Sequence, residues 1–197
     1  NREYLFIVSA QGKIKGQPIS VTAKCNPVCK PTKKTINFEG LAAGTIVSKL
    51  PGVAVNGREA VSEGNAAMIF NSNKPTGGDT DLKFTNRGNI LILSEDGDSN
   101  DPDDSAKGGT FFFHFDSPVT VDNFILLDVE KHEVGRVFLF DLFNKMLLHT
   151  TITGNGDNSQ KVIDLKSTPN VKSMIIRLAG SGAIDDIKYT IPCKKKK

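Results

Sequence analysis

The chain contains no Trp and only two Tyr, Tyr4 and Tyr189, so an indole platform for a ligand is excluded, and Phe, with 12 copies, carries most of the aromatic mass. No run of 18 apolar residues occurs, so no segment reads as a transmembrane helix. No G-x-S-x-G, H-E-x-x-H or P-loop pattern is present, which removes the common hydrolase and nucleotide signatures. Three His occur: His114 reads as a surface or satisfied strand residue, His132 as a solvated turn residue and His149 as the end of a hairpin strand. A nucleophilic triad needs one of them beside Ser or Cys and a carboxylate, and nothing in the spacing points to that. The sequence has many carboxylates, but they cluster in loops rather than along an apolar cleft. That favours cation binding over glycosidase chemistry. No N-x-S/T sequon, internal repeat or sustained apolar period of 3.6 is found.

Cysteine is scarce, with Cys25, Cys29 and Cys193 the three copies. A C-x3-C pair without a neighbouring His is a poor zinc site, and three cysteines cannot complete a four-thiolate set. All three lie at the edges of the strand-rich body. If its first and last strands meet, Cys193 pairs with Cys25 or Cys29 and one thiol is left over; the alternative is a small Cys25–Cys29 loop. Such sparse edge cysteines fit an extracellular protein. Beginning at Asn1 rather than Met, the chain is expected to be a processed product or an excised segment of a longer one, so a missing leader does not oppose secretion.

The formal net charge of +3 is unevenly spread. Residues 1–34 hold seven bases against one acid, residues 194–197 are four Lys, and residues 35–193 hold 14 bases against 21 acids. Basic ends on an acidic body suit head-to-tail self-association or an anionic surface; a disordered solubilising tail is the plainer reading of 194–197. Nucleic-acid binding is not expected, because the bases lack interleaved aromatics and the body is acidic.

Hydrophobic residues make up 38% of the chain and fall in short runs rich in Val, Ile, Phe and Thr between Gly, Asn, Asp and Pro turns. That pattern predicts an all-β fold, an antiparallel jelly-roll-like β-sandwich over 35–193. Residues 1–34 are expected to add an N-terminal two-strand extension (4–8 and 19–24) and a Cys/Pro/Lys linker. Within the body, strands are expected at 35–40, 45–49, 66–71, 90–93, 110–115, 119–129, 134–140, 146–153, 161–165, 173–178 and 183–190, with 52–55 a brief apolar run. Asn144-Lys145 is expected to turn a hairpin.

Between two of these strands lies an acidic loop with Glu95, Asp96, Asp98, Asp101, Asp103 and Asp104. Hard oxygen ligands on a flexible loop suit Ca²⁺. The loop is not an EF-hand, because Asp101 and Lys107 stand where Gly and Glu are required. A solvated charge run is the competing reading. Asp79 and Asp81, one residue apart in a turn-rich segment, form a second acidic pair.

The body opens with Ile36-Asn37-Phe38-Glu39-Gly40 and closes with Ala183-Ile184-Asp185-Asp186-Ile187-Lys188-Tyr189. This pair of ends resembles the extracellular galactose-binding-like and carbohydrate-binding-module class of jelly rolls, and the middle is similar to secreted anchor-domain surface proteins. The resemblance implies a structural Ca²⁺ held by Glu39 with Asp185 or Asp186, and a non-enzymatic module that binds a glycan or another matrix component. The alternative is a self-assembling structural protein on a mineral or anionic polymer.

Overall fold

The computed structural model describes residues 29–60 and 64–193. The expected strands at 4–8 and 19–24, Cys25 and the lysine tail lie outside them. Ten strands follow in order: β1 (Thr32–Ile36), β2 (Lys49–Leu50), β3 (Val53–Glu59), β4 (Ala67–Asn71), β5 (Asn89–Leu93), β6 (Gly109–Leu127), β7 (Val134–Phe140), β8 (Met146–Thr153), β9 (Gln160–Leu178) and β10 (Ala183–Ile191). All pairings are antiparallel. The only helix among the described residues is a 3-10 turn at Thr80–Leu82.

The long strands β6 and β9 organise the sandwich. They pair from Gly109↔Leu178 to Leu127↔Gln160. The first half of β6 also pairs with β3, and the second half of β9 with β7, which pairs with β8. This makes one layer. The second half of β6 pairs with β10, whose other edge carries β5 and β1, and β5 pairs with β4. This makes the other. The ladder shifts register between His114 and Asn123. Pro118 falls in that stretch, and Pro169 lies opposite it in β9, where neither must donate a ladder hydrogen bond. Left-handed Lys166, Ser167 and Asn170 bend β9 at the same level. The sequence pattern predicts two strands at 110–115 and 119–129, and two more at 161–165 and 173–178. Each couple is one bent strand, because the prolines that look like breaks sit where pairing is already irregular.

Phe111, Phe113 and Phe115 of one layer pack with Leu91, Leu126 and Ile184 of the other in the main core. β4 and β5 are buried on both faces, which explains the unbroken apolar run of NILIL. Their second face joins Met68, Phe70, Ile90 and Ile92 to Leu82 and Phe84 in a separate cluster. That cluster anchors the segment bearing Asp79 and Asp81. The expected strand at 45–49 is reduced to an Ile46↔Met68 bridge and the two-residue β2. β3 instead runs on to Glu59, past the apolar stretch, because Asn56 and Arg58 face outward while Gly57 and Glu59 are buried. The alternation in β7 suggests burial on both faces, but Phe138 and Phe140 are only half-buried and lie on the outer side.

Cys29 and Cys193 form a disulfide across 164 residues, with Cα atoms 5.6 Å apart. It continues the β1–β10 ladder, which begins at Thr32↔Ile191.

Candidate functional site

The outer face of the β3–β6–β9–β7–β8 layer is ordered by its register. Period-2 alternation sends Phe111, Phe113, Met174 and Leu139 inward and their neighbours outward. Asn56, Phe112, Ile175, Phe138 and His149 align across five strands. The next row is Ala54, His114, Ser173 and Phe140. The His149 ring stacks on Phe138 with centroids 4.7 Å apart and planes parallel. Phe138 and Phe140 lie 6.5 Å apart at 17°. His114 Nδ1 is 3.0 Å from Ser173 Oγ. Among the described residues no carboxylate pairs with His114, so the two make a polar pair without the third member of a triad. A hollow of about 460 Å³ is lined by Asn56, Phe112, His114, Phe140, Asn144 and Ser173, among others. Asn144 reaches it from the β7–β8 turn, where its left-handed backbone (φ 59°) closes the hairpin.

This surface is an aromatic shelf bordered by amide, imidazole and hydroxyl groups. Such a surface can stack the apolar face of a sugar ring and hydrogen-bond its hydroxyls. Its side chains come from separate parts of the chain. The sequence pointed to them only through alternation in FFFHFD and VGRVFLF, while His114 and His149 read as bland strand residues.

The acidic residues gather elsewhere. Asp96 Oδ1 accepts from Asp98 N (2.7 Å) and Asp98 Oδ1 from Asn100 N (2.8 Å), so the D-x-D-x-N pattern shapes local turns. Glu95, Asp96, Asp98 and Asp101 are exposed. Asp101 Oδ1 accepts from Gly77 N at 2.8 Å and Asp79 Oδ2 from Asp104 N at 2.7 Å, which ties the acidic loop to the Asp79 segment. Asp104 turns inward and accepts from Ser181 Oγ (2.9 Å) and from Gly182 N. Burial pushes its carboxyl up to about 7, and burial with nearby Asp81, Asp103 and Glu95 pushes Asp79 to about 6. Asp103 is also raised, by burial and by Asp96, Glu95 and Asp101. Its buried Oδ1 has no hydrogen-bond partner among the described residues.

Asp81 joins two residues that sequence reasoning did not single out, Asp128 and Asp157. One carboxylate oxygen of each lies within 4.8 Å of the others. Ca²⁺ takes oxygens at about 2.3–2.6 Å, so oxygens on opposite sides of one ion stand about 5 Å apart, and this cluster fits a metal ion. Asp128 follows β6 directly with φ 54°, and Asp157 lies in the turn before β9. Burial, then repulsion from Asp81, Asp157 and Glu130, pushes Asp128 up to about 7. The signals for these two were a lone Asp after a long apolar strand and a Gly-Asn-Gly-Asp turn; only the β6–β9 pairing brings them together.

Glu39, Asp185 and Asp186 do converge, around a basic side chain. Arg87 Nη1 lies 3.0 Å from Asp186 and 3.8 Å from Asp185. Its Nε and Nη2 donate to Gln160 Oε1 at 2.9 and 2.7 Å. Glu39 Oε1 accepts from Asn89 N at 2.9 Å. Burial holds Asp185 up at about 7 even with the guanidinium beside it. Arg87 supplies positive charge at this place.

No protein-family model matches the chain, and no curated protein matches it. Among solved structures it is similar to several carbohydrate-binding modules. The family 32 carbohydrate-binding module of NanJ from C. perfringens, in complex with galactose, is 9% identical with a TM-score of 0.41, over 81% of this chain and 98% of that one. A fucose-binding module from Streptococcus pneumoniae is 13% identical with a TM-score of 0.40, over 78% and 100%. A family 29 carbohydrate-binding module is 12% identical with a TM-score of 0.40, over 82% and 87%.

Proposed function

We propose that the protein is a non-enzymatic, extracellular glycan-binding module whose glycan lies on the outer sheet face over Phe112, Phe138 and Phe140. The carrying observation is the ring row itself. Three Phe and the stacked His149 stand half-exposed on a rigid sheet, beside the hydroxyl, imidazole and amide groups of Ser173, His114 and Asn56. Phe here takes the part that Trp or Tyr would otherwise play. The Cys29–Cys193 bridge supports an extracellular setting. Ca²⁺ belongs at Asp81, Asp128 and Asp157, where it would neutralise the acidic end and lock the β6–β9 turn region to the Asp81 segment. The acidic cluster at Asp79, Asp103 and Asp104 borders it.

Binding of a glycan panel to wild type, Phe112→Ala and Phe140→Ala, measured by calorimetry, tests this reading. Losing one stacking ring removes about 1.4 kcal/mol, which is about tenfold in Kd. Unchanged affinity in both variants would move the glycan off this face.

A second reading, self-association into a matrix, is favoured by the β7–β8 hairpin tip. Leu142, Phe143 and Met146 are 58%, 86% and 52% exposed there, which is unusual for large apolar groups.

A further inference from the structure

The same sheet face carries a third row. Arg58 of β3 is opposite Thr110 of β6, Thr110 is opposite Arg177 of β9, and Arg177 is opposite Arg136 of β7. All three Arg are exposed. The row spans three strand spacings, about 14 Å, and sits two residues, about 7 Å, along the strands from the Phe112–Phe138 row. A cleft of about 600 Å³ is lined by Arg58, Lys107, Thr110, Arg136 and Arg177, among others. The chain has five Arg, so three of them meet in this one row, and a fourth, Arg87, is committed to Asp185 and Asp186. Both ion pairs formed among the described residues belong to Arg87. Like charges directly opposite on a sheet repel and weaken it. Three aligned guanidinium groups on a body with 14 bases against 21 acids therefore gain compensation from an anion brought from outside.

We propose that this row binds the anionic substituents of the glycan, so that the ligand is an acidic polysaccharide laid across the strands with sugar rings on the Phe shelf and acidic groups on the Arg row. The proposal rests on the glycan reading of the adjoining face. Guanidinium forks bind sulfate and carboxylate oxygens bidentately, so sulfate esters and uronate carboxylates share the chemistry.

Calorimetry with a sulfated galactan, a polyuronate and a neutral galactan of matched length, over a salt series, tests it on wild type, Arg177→Ala, Arg136→Ala, Arg177→Lys and Phe112→Ala. The expected result is at least tenfold tighter binding of one acidic polymer than of the neutral one. That preference and its salt dependence should fall in both Arg→Ala variants, be only partly kept in Arg177→Lys, and leave neutral-glycan affinity unchanged. Which acidic polymer wins separates sulfate from carboxylate. Melting temperatures of the free Arg→Ala variants should be equal to wild type or higher, since repulsion is relieved. Equal affinity for neutral and acidic glycans, insensitive to the Arg changes, would overturn this inference while leaving the glycan face standing. Binding to none of the three polymers would overturn both. An oligonucleotide held more tightly than any acidic glycan through these Arg would overturn the glycan assignment of the row.

Discussion

Asp79, Asp104, Asp128 and Asp185 are held well above the ordinary carboxylate range, at about 6 for Asp79 and about 7 for the other three, with burial the first cause in each. In the unfolded chain each titrates near 3.9. The folded state binds their protons more tightly, so the stability they contribute is fully present below about pH 4 and is lost as pH rises through about 7. In chelator, the melting temperature is expected to fall between pH 5 and pH 8. Millimolar Ca²⁺ should restore it at pH 7.5, because an ion that binds only the folded state stabilises it by about 2.7 kcal/mol at a hundredfold excess over Kd. Asp128→Asn and Asp81→Asn should abolish that shift. Asp98→Ala should keep it, since Asp98 accepts from its own turn, and so should Asp185→Ala, which leaves Arg87 with Asp186. Melting curves for the four variants with and without Ca²⁺ decide this, and loss of the shift in Asp185→Ala alone would return the ion to the chain ends. Acidic character was legible residue by residue. Which carboxylates are buried was not, because burial of Asp104 comes from the loop at Ser181 and Gly182, 77 and 78 residues away.

At the scale of elements, the β7–β8 hairpin is where sequence and structure agree most closely. The hairpin was legible because Asn tolerates a left-handed backbone and the flanking residues alternate, but the turn is centred on Leu142-Phe143, two residues before the expected Asn144-Lys145, with Asn144 the left-handed residue that closes the loop. Its tip exposes Phe143 almost completely, while Asp141 Oδ1 accepts from the N–H groups of Phe143 and Lys145 at 2.8 and 2.9 Å and holds the loop in shape. Phe143→Asp should therefore leave the fold intact and reduce any concentration-dependent association seen by light scattering. Association that persists unchanged would place self-contact elsewhere. The long β6 and β9 strands were the opposite case. Their prolines read as boundaries locally, and only the pairing partner shows that a strand continues through them.

For the whole molecule, closure depends on the first and last strands. β1 and β10 are joined by five register pairs and by Cys29–Cys193 just beyond them. A bridge that closes so long a loop restricts the unfolded chain strongly, and its removal costs roughly 2–5 kcal/mol. Reduction, or Cys29→Ser, is expected to lower the melting temperature and the denaturant midpoint. A non-reducing peptide map should recover the Cys29–Cys193 peptide pair. A map showing Cys193 as a free thiol would remove the bridge.

The class of fold was legible in the chain alone, through period-2 alternation and turn residues that act over a few positions. The sequence also raised the expectation that the body's ends meet and that Cys193 pairs with Cys25 or Cys29, with a small Cys25–Cys29 loop left as the alternative. The tertiary structure decided which of them pairs, that Arg87 meets Asp185 and Asp186, and that Asp81 joins Asp128 and Asp157. It also decided that Phe112, Phe138, Phe140 and the three Arg share one face. The physical reason is register. Alternation tells which side of a strand a residue takes, but which residues become neighbours across strands depends on pairings between segments far apart in the chain, and those are settled only when the core closes.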